Sequence, residues 1–593
     1  MTLQVTYDEE PFSHVRIMKL EFNLLQETVL AELQKKVIKH LENIYPNVDH
    51  ESIAQKVIEA AGISESEDKD SSYSTDENEV VLITYGDSIL DETQKPLEAL
   101  AEFIESKLAD VISTVHILPF YPSSSDGGFS VIDYYEVSSN LGDWEDIAKV
   151  APGKTNRKLM ADLILNHGSA QSEWFKQFIA GEKPGCDYFV TSDPDNDLSN
   201  VTRPRTHDLL LPVDTPTGER HVWCTFSHDQ VDFDFGNPDV LIEFTKIIDF
   251  YVSNNVTRLR LDAVAYLWKE LGSKCIHLEQ THEVVKLFNT LLSHRAPDVL
   301  LISETNVPHE QNVSYFGNSD EAHVIYNFSL VPLVLHAVLA NDPEPFIKWA
   351  ENISIPEGNS YFLNFLASHD GMGVRPAEGL LTDDQLSNLV KASEATGGTF
   401  SPYSSPEGEK PYELNASLYD VLAGRDGKDI DKFLLAHSIL LTFAGIPAIY
   451  IHSLLGTPGD LDAVKETGIK RNINRSRLNS EEVIEELESP DSYRAAMFKK
   501  LCEMIKIRRS HDSFDPKAEQ DVFSINDKIC VIKRSTNEQT IFAIHNVSDS
   551  NEEFKLDDLS LNETEEWKDL LGNGFVKAGP VELKPFEIMW LCN

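Results

Sequence analysis

Positive charge is scarce in this sequence, which has 51 lysine and arginine residues against 98 aspartate and glutamate residues, for a formal net charge of −47. Nucleic acids and anionic membrane surfaces are bound by basic patches, so we expect neither as a partner. Such an acidic balance favours a solvated, self-repelling surface. Hydrophobic residues make up an ordinary 41%, and 593 residues are enough for one large domain with attachments.

Closely spaced cysteines and long apolar runs are also missing. The six cysteines are scattered along the chain, which favours reduced thiols over a disulfide framework or a zinc site. We expect no metal ion and no cofactor. No apolar run is long enough to span a bilayer, and the region around Asp8, Glu9 and Glu10 lacks the apolar segment of a secretory signal. A soluble cytoplasmic protein is therefore expected.

The first 79 residues predict a helical extension followed by an acidic linker. Apolar residues recur every three or four positions over 21–42, which is amphipathic helix spacing, and a second helix is expected over 53–61. Residues 64–79 are almost wholly polar and are interpreted as exposed. The role of this extension is left open between a brace for the next domain, an oligomer contact such as that of a homodimer, and neither.

From residue 80 onwards, buried apolar strands alternate with helical patterns. The strands are expected at 80–85, 115–119, 158–166, 256–262, 299–304, 324–328, 361–370 and 447–451. Continuous apolar strands that alternate with helices favour a parallel sheet, and eight of them favour a closed (β/α)8 TIM barrel. In such a barrel the chemistry lies at the C-terminal ends of the strands.

Two connections in this series are too long to be plain loops. We expect an inserted domain at 168–255, after strand three, and an inserted segment at 371–428, after strand seven. The barrel itself would then occupy 80–167, 256–370 and 429–513. Short strands separated by polar turns predict a C-terminal antiparallel β domain at 514–593.

The end of the fourth strand carries an arginine and an aspartate two residues apart. Side chains alternate along a strand, so Arg260 and Asp262 should both point to the barrel mouth. A neighbouring cation keeps a carboxylate ionised, as a nucleophile must be, but a buried structural ion pair has the same pattern. The pair alone leaves both interpretations open.

Four motifs, each at the end of a predicted strand, occur together in one order. They are 162–167 (Asp-Leu-Ile-Leu-Asn-His), 260–264 (Arg-Leu-Asp-Ala-Val), 302–306 (Ile-Ser-Glu-Thr-Asn) and 368–370 (Ser-His-Asp). With these four motifs in this order, the chain resembles the α-amylase superfamily of glycoside hydrolases and transglycosidases. The resemblance implies Asp262 as nucleophile, Glu304 as general acid/base and Asp370 as the carboxylate that stabilises the transition state. It also implies that Arg260, His167 and His369 contact the substrate.

Retaining glycoside chemistry explains why two carboxyl groups are needed. One attacks the anomeric carbon and the other, protonated, donates to the leaving oxygen, with the two groups about 5 Å apart. Strands four and five are barrel neighbours, so Asp262 and Glu304 can meet at the mouth. A raised pKa is expected for Glu304 from burial and nearby negative charge, and a lowered one for Asp262 from Arg260.

A narrower resemblance is to the sucrose phosphorylase group, carried by 116–129, 371–376 and 472–475. It implies that Asp126 and Arg475 hold the far hydroxyls of a single glucose, with Phe129 in the same pocket, and argues against polymer cleavage. Phosphate must compete with water as the acceptor and therefore needs fixed cations. Arg203 and Arg205, braced by Pro204, match that group's Arg-Pro-Arg segment and are the candidate phosphate site; an exposed surface pair is the alternative.

The identity of the leaving group is harder to predict. Segments 275–282 and 411–415, with Tyr412 and Asn415 as acceptor candidates, look closer to relatives acting on glucosylglycerol, glucosylglycerate or sucrose 6′-phosphate than to sucrose phosphorylases. Between positions 380 and 425 the only basic residues before the arginine at 425 are Lys391 and Lys410, which favours a neutral polyol. We therefore expect a retaining phosphorylase acting on a small glucoside and inorganic phosphate, with glucosylglycerol as first choice. Glucosylglycerate, sucrose 6′-phosphate and sucrose are alternatives, as are a hydrolase or transglucosidase and a catalytically silent sugar-binding protein.

Overall fold

Eight parallel strands close into a barrel in this computed structural model, which describes residues 28–63, 75–152, 157–405, 408–559, 561, 567–576 and 579–593. The barrel strands are β1 (Val81–Thr84), β2 (Thr114–Ile117), β3 (Lys158–Ile164), β4 (Val256–Asp262), β5 (Leu300–Ser303), β6 (Val324–Tyr326), β7 (Tyr361–Asn364) and β8 (Ile446–Tyr450). Each strand pairs with the next in sequence, and β8 pairs with β1. The predicted (β/α)8 TIM barrel is confirmed.

Apolar and β-branched residues form these strands because both of their faces are covered. Almost every barrel-strand residue is buried, as a parallel sheet enclosed by helices requires. The register places Arg260 of β4 between Asp162 of β3 and Ile302 of β5. The charged residues of β3 and β4 therefore lie side by side at the C-terminal end of the barrel.

Helices cover the outside of the barrel. They include Pro96–Lys107, Trp144–Val150, Pro238–Ser253, Glu279–Arg295, Leu330–Leu339, Glu344–Ala350, Ile430–Thr442, Ser480–Glu488 and Tyr493–Arg508, with the shorter Ile451–Leu454 and Leu461–Thr467 after β8. The helix Pro238–Ser253 shows why these segments form: Asn237 caps its first turn, proline occupies its first position, and its apolar side chains are buried. Among the described residues no helix combines the length and apolar character needed to cross a membrane.

Two lobes stand over the barrel mouth, after β3 and after β7, as expected. The first contains the helix Glu173–Ala180, the hairpin Leu210–Thr215 with Gly218–Trp223, and the paired strands His167–Ser169 and Gln230–Asp232. The second contains the helices Asp383–Ala395 and Leu418–Ala423, and a sheet of Met372–Gly373, Gly408–Asn415 and Thr399–Ser405. Pro238–Ser253 lies within the range expected for the first insertion, but it precedes β4 and packs against it as a barrel helix.

The N-terminal extension is helical over 28–44 and His50–Ala60 and packs on the barrel. The remainder of the first predicted helix and residues 64–74 of the predicted linker lie outside the described residues. Where the linker is described it differs from the prediction, because Thr75 and Glu79 are buried. Glu79 pairs with Lys158 and with Arg258, whose Nε lies 3.3 Å away. The polar composition of this segment therefore did not predict exposure correctly, because Glu79 is buried with its ion-pair partners inside the fold.

The C-terminal antiparallel domain is confirmed. Its main sheet contains, in spatial order, Glu519–Ser524, Ile529–Ser535, Thr540–Asn546, Ile588–Cys592, Trp567–Asp569 and Gly574–Val576. Glu552–Lys555 pairs separately with Pro580–Leu583, and Ile89–Leu90 of the barrel pairs with Leu478–Asn479. Arg534 joins this sheet to the barrel, because its buried guanidinium donates to the carbonyl oxygen of Thr442 at 3.0 Å.

Candidate active site

A cavity opens at the C-terminal ends of the barrel strands and has an empty volume of about 980 Å³, including its open mouth. Its lining includes ten of the residues predicted from sequence: Asp126, Phe129, His167, Arg205, Arg260, Asp262, Glu304, His369, Asp370 and Tyr412. The other lining side chains come from the strand ends and from both lobes. The barrel and its lobes therefore bring residues from distant parts of the chain into one site.

Arg260 is the centre of the charged network at the floor of this cavity. Its Nη1 lies 2.7 Å from Oδ1 of Asp262 and 2.5 Å from Oδ1 of Asp162, while its Nη2 lies 3.8 Å from Oε2 of Glu304. Asp162 is held on its other oxygen by Nε2 of His116, at 2.8 Å. One guanidinium thus contacts three carboxylates and is closer to Asp262 than to Glu304.

The two central carboxyl groups differ in how they are stabilised. Burial raises the pKa of Glu304 to about 7; Arg260 opposes this rise, and the neighbouring Asp262 and Asp370 add to it. Burial also raises the pKa of Asp262, so the lowering expected from Arg260 is present but outweighed. Because Arg260 bonds Asp262 directly, negative charge is better stabilised on Asp262 than on Glu304. When only one of the two carboxyl groups is protonated, the proton is therefore on Glu304.

The backbone immediately after Asp262 also positions Glu304. Ala263 has a φ of 50°, in the left-handed region that residues with a side chain rarely adopt. In that conformation its amide N–H donates to Oε2 of Glu304 at 3.1 Å. No pattern in the sequence predicts this contact, and such local backbone strain is typical of functional sites.

Asp370 lies in a turn six positions beyond the end of β7 and has arginine partners on the wall of the cavity. Nη1 of Arg471 is 2.8 Å from Oδ1 of Asp370, and Nη2 of Arg475 is 3.5 Å from Oδ1 of both Asp370 and Asp126. Arg471 also makes a bidentate pair with Glu413, at 3.0 and 2.9 Å. The predicted Asp126–Arg475 contact is present, but of the two arginines beside Asp370 it is Arg471, which was not predicted, that lines the cavity.

The predicted histidines and Phe129 form the polar and aromatic lining around these carboxylates. The Phe129 ring stacks on His369 with centroids 4.8 Å apart and planes within 7°. Burial and the neighbouring Arg475 hold the pKa of His369 well below its ordinary value, and burial lowers that of His167, so both rings are neutral hydrogen-bonding groups. The Gln230 amide, 3.2 Å from Nε2 of His167 and 3.4 Å from Oδ2 of Asp126, joins the two predicted sugar contacts.

The candidate phosphate and acceptor residues are only partly brought together. Arg205 lines the cavity with its Cζ 5.8 Å from the centroid of the Tyr412 ring. Arg203 is directed elsewhere and donates to the carbonyl oxygen of His207. Asn415 is buried, and its amide donates to the Ser401 hydroxyl at 2.9 Å. Neither Arg203 nor Asn415 lines the cavity as described.

Several lining residues were not predicted, among them Tyr266, Asn306 and Gln230. Arg375, near Tyr266, was present in the motif 371–376 but was read only as a family marker. It lies just before the range 380–425, in which basic residues are scarce. The acidic alternation Asp193, Asp195 and Asp197 resembles a cation loop, but no group of three or more His, Cys, Asp or Glu side chains in the described ranges is arranged to hold a metal ion.

Comparisons with known proteins identify the family of this chain. The family model "Alpha amylase, catalytic domain" matches residues 109–359. The chain is 41% identical over 524 residues to a glucosylglycerate phosphorylase of Escherichia coli (strain K12), covering 87% of this chain and 92% of that protein. It is 28% identical to a glucosylglycerol phosphorylase of Marinobacter adhaerens, covering 74% and 88%.

A solved structure gives the same result for the fold. The crystal structure of sucrose 6F-phosphate phosphorylase from Thermoanaerobacter thermosaccharolyticum superposes with a TM-score of 0.69 at 26% identity, covering 79% of this chain and 94% of that one. The similarity therefore extends over nearly the whole length of each of these relatives.

Proposed function

The chain belongs to the α-amylase superfamily, and within it to the glucoside phosphorylases, and from that premise we propose that it phosphorolyses glucosylglycerate. The products are α-D-glucose 1-phosphate and glycerate. The higher identity to a glucosylglycerate phosphorylase than to a glucosylglycerol phosphorylase supports the anionic acceptor over the neutral polyol favoured by the sequence. The observation that carries the proposal is Arg205, which lies in the same cavity as Asp262 and Glu304 and has no aspartate or glutamate partner among the described residues.

In the first half-reaction the glucosyl unit moves to the protein. The carboxylate of Asp262 attacks the anomeric carbon, and the bond from that carbon to the glycerate oxygen breaks. Glu304 gives its proton to the departing oxygen, so that glycerate leaves as an alcohol and Glu304 becomes ionised. The contact between Arg260 and Asp262 keeps the attacking oxygen charged, and the raised pKa of Glu304 keeps the donor protonated near neutral pH.

In the second half-reaction a hydroxyl oxygen of hydrogen phosphate attacks the anomeric carbon. The ester bond to Asp262 breaks, its electron pair returns to the carboxylate, and ionised Glu304 accepts the proton of the attacking oxygen. Both side chains are then in their starting states. Two displacements at the same carbon retain the α configuration.

The wall of Asp126, Asp370, Arg471 and Arg475 explains action on a single glucosyl unit. These side chains are joined by ion pairs between 2.8 and 3.5 Å and close the end of the cavity that holds the far hydroxyls of glucose. A polymer chain cannot extend through a wall of ion-paired, half-buried side chains. The open mouth is left for the acceptor and for phosphate.

Phosphate competes with water for the glucosyl group, and the cavity supplies a cation for that purpose. Arg205 has no carboxylate partner among the described residues and is held over the Tyr412 ring, which orients a guanidinium without neutralising it. A guanidinium can hold two phosphate oxygens at once. Phosphate bound to Arg205 is held next to the glucosyl group, and this position favours it over water as the acceptor.

The test is the release of glucose 1-phosphate from glucosylglycerate with and without inorganic phosphate. We expect turnover that depends on phosphate, at least about a thousandfold loss in Asp262→Asn, and a raised KM for phosphate in Arg205→Met. Free glucose released at an equal rate without phosphate would instead identify a hydrolase. Phosphorolysis of glucosylglycerol in preference to glucosylglycerate would show that the acceptor is the neutral polyol expected from the sequence.

A further inference from the structure

Two arginines, Arg205 in the lining of the cavity and Arg375 next to the lining residue Tyr266, lack the carboxylate partners that the other site arginines have. Arg260, Arg471 and Arg475 each pair with at least one aspartate. In the part of the chain that the structure describes, Arg205 and Arg375 have no aspartate or glutamate oxygen within ion-pair distance. In a chain with net charge −47, two unpaired guanidinium groups beside one cavity indicate an anionic ligand.

These two arginines are the ends of a row of neighbouring side chains, which we name the mouth row: Arg375, Tyr403, Tyr412 and Arg205, with the two tyrosine rings edge to face. Cζ of Arg375 lies 5.2 Å from the Tyr403 ring centroid, the two tyrosine rings are 6.5 Å apart, and Cζ of Arg205 lies 5.8 Å from the Tyr412 ring. Cation–π contacts of this kind fix a guanidinium while leaving its charge available.

The mouth row lies on the side of the cavity where the acceptor must sit. Tyr266 lines the cavity, and burial raises the pKa of its hydroxyl against the opposing charges of Arg375 and Arg205, with Glu304 also close by. Glu304 protonates the oxygen that leaves, so the groups gathered around it face the leaving group. The glucose side is occupied by the separate wall of Asp126, Asp370 and the other two arginines.

Polar atoms without partners occur next to Arg375. Its own Nε and the amide oxygen of Asn306 are buried, and neither has a hydrogen-bond partner among the described residues. Asn306 lines the cavity and packs on the turn that carries Arg375, where a Cβ added to Gly373 would lie 2.9 Å from its amide nitrogen. The backbone N–H of Val374 fixes this turn by donating to the carbonyl of Tyr412 at 3.0 Å. A ligand that bonds both groups would satisfy them.

We propose that Arg375 selects the acceptor by charge, holding the carboxylate of a small 2-hydroxy acid while Asn306 bonds one of its free hydroxyls. The inference rests on the proposed function and adds the residue that distinguishes an anionic acceptor from a neutral one. It divides the two cations of the mouth row: Arg205, which lines the cavity, serves phosphate, and Arg375 serves the acceptor's carboxylate. The scarcity of basic residues in 380–425 had favoured a neutral acceptor. Arg375, five positions before that range, is the cation that an anionic acceptor needs.

The experiment runs the reaction in reverse, with α-D-glucose 1-phosphate as donor. The acceptors are glycerate and its neutral amide, glyceramide, which differ only in the charged group. In Arg375→Met we expect the KM for glycerate to rise about tenfold to a hundredfold, the range for a lost hydrogen bond to a charged group. The KM for glyceramide should change less than about threefold, and Arg375→Lys should recover part of the preference.

The controls separate this inference from the proposed function. Arg477→Met removes an exposed arginine paired with Asp87 and should change neither acceptor. Arg205→Met should raise the KM for phosphate in the forward direction without altering the ratio between glycerate and glyceramide. If wild type uses glycerate and Arg375→Met weakens both acceptors equally, or neither, the assignment of Arg375 is wrong while the function stands. If wild type prefers glyceramide or glycerol, the proposed function itself fails.

Loss of fold in one variant would leave the outcome decidable. Arg375→Gln gives a shorter side chain that keeps a polar amide with N–H donors but has no charge, and it is predicted to show the same selective loss for glycerate. Binding of glycerate to each variant, measured by calorimetry without donor, gives the same comparison without turnover. An Arg375 variant that binds glycerate as tightly as wild type overturns the inference.

Discussion

Glu304 links the protein's rate to pH through a single proton. Burial and the charges of Asp262 and Asp370 raise its pKa to about 7, and the first half-reaction needs the protonated form. A raised pKa means that the proton is held below about pH 7 and lost above it. We therefore expect kcat/KM for the glucoside to fall about tenfold per pH unit on the alkaline side, as measured by initial rates across that range.

A donor that needs no protonation provides the control for that pH profile. The leaving group of glucosyl fluoride is the fluoride ion, which needs no proton. Glu304→Gln should therefore retain glucosyl transfer from this donor, and the decline of kcat/KM above pH 7 should disappear. If the decline persists unchanged in Glu304→Gln, another group is responsible for it. If wild type shows no decline with glucosylglycerate, Glu304 is not the proton donor with the raised pKa.

The residues of the site were predictable to the extent that they lie within motifs at strand ends. Asp262, Glu304 and Asp370 follow from four short segments whose chemistry requires carboxylates at those positions. Arg471 and Arg375 were not identified because their roles depend on partners from a lobe: Glu413 holds Arg471, and Tyr403 stacks on Arg375. A sequence gives residue types near a site, but the path of a long insertion decides which of them reach it.

At the scale of elements, the limits of prediction lie at strand ends. The seventh strand was expected over 361–370, but β7 ends at Asn364. The apolar residues that follow, such as Phe365 and Leu366, are buried but do not pair with a neighbouring strand. Burial and strand pairing give the same apolar pattern in a sequence. The turn after β7 is what carries Asp370 to Arg471 at the cavity wall.

Glu79 makes the entry to β1 dependent on a buried ion pair. Burial would raise its pKa, but Arg258 and Lys158 outweigh burial and lower it from an ordinary 4.5 to about 2. A depressed carboxylate pKa stabilises the fold at pH values above 4.5, and that contribution is lost as pH falls towards 2. We expect Glu79→Gln to lower the free energy of unfolding by about 3 kcal/mol at pH 7, measured by urea denaturation, and by less at pH 4.

An exposed pair gives the matched control for Glu79. Glu344 lies 2.5 Å from Lys348 with more than two thirds of each side chain exposed, so Glu344→Gln should cost less than about 1 kcal/mol at any pH. Equal losses in the two variants would mean that burial adds nothing to the Glu79 pairs. A loss in Glu79→Gln that does not shrink on acidification would place its origin in packing rather than in charge.

At the scale of the whole molecule, buried arginines join the barrel to its additions. Arg508 donates to the carbonyl oxygens of Leu441 and Gly445 in the barrel, of Phe514 beyond it and of Glu77 before β1. Arg534 does the same from the C-terminal sheet. These cations meet carbonyl groups rather than carboxylates, so positive charge is used inside a molecule whose surface is strongly negative.

That surface predicts a stability that depends on salt. With 98 acidic and 51 basic residues, like charges repel across the folded chain more than across an expanded one. Salt shortens the distance over which they interact to about 10 Å at 0.1 M. We expect the melting temperature to rise by about 2–5 °C between low salt and 0.5 M sodium chloride, measured by scanning calorimetry.

Choline chloride at the same ionic strength separates screening from specific binding of sodium, because both salts screen charge equally. Equal rises in the two salts are expected from repulsion between surface carboxylates. A rise with sodium alone would indicate bound cations instead. A melting temperature that falls with either salt would mean that the surface ion pairs, such as the pair of Lys95 with Asp143, stabilise the fold by more than its net charge destabilises it.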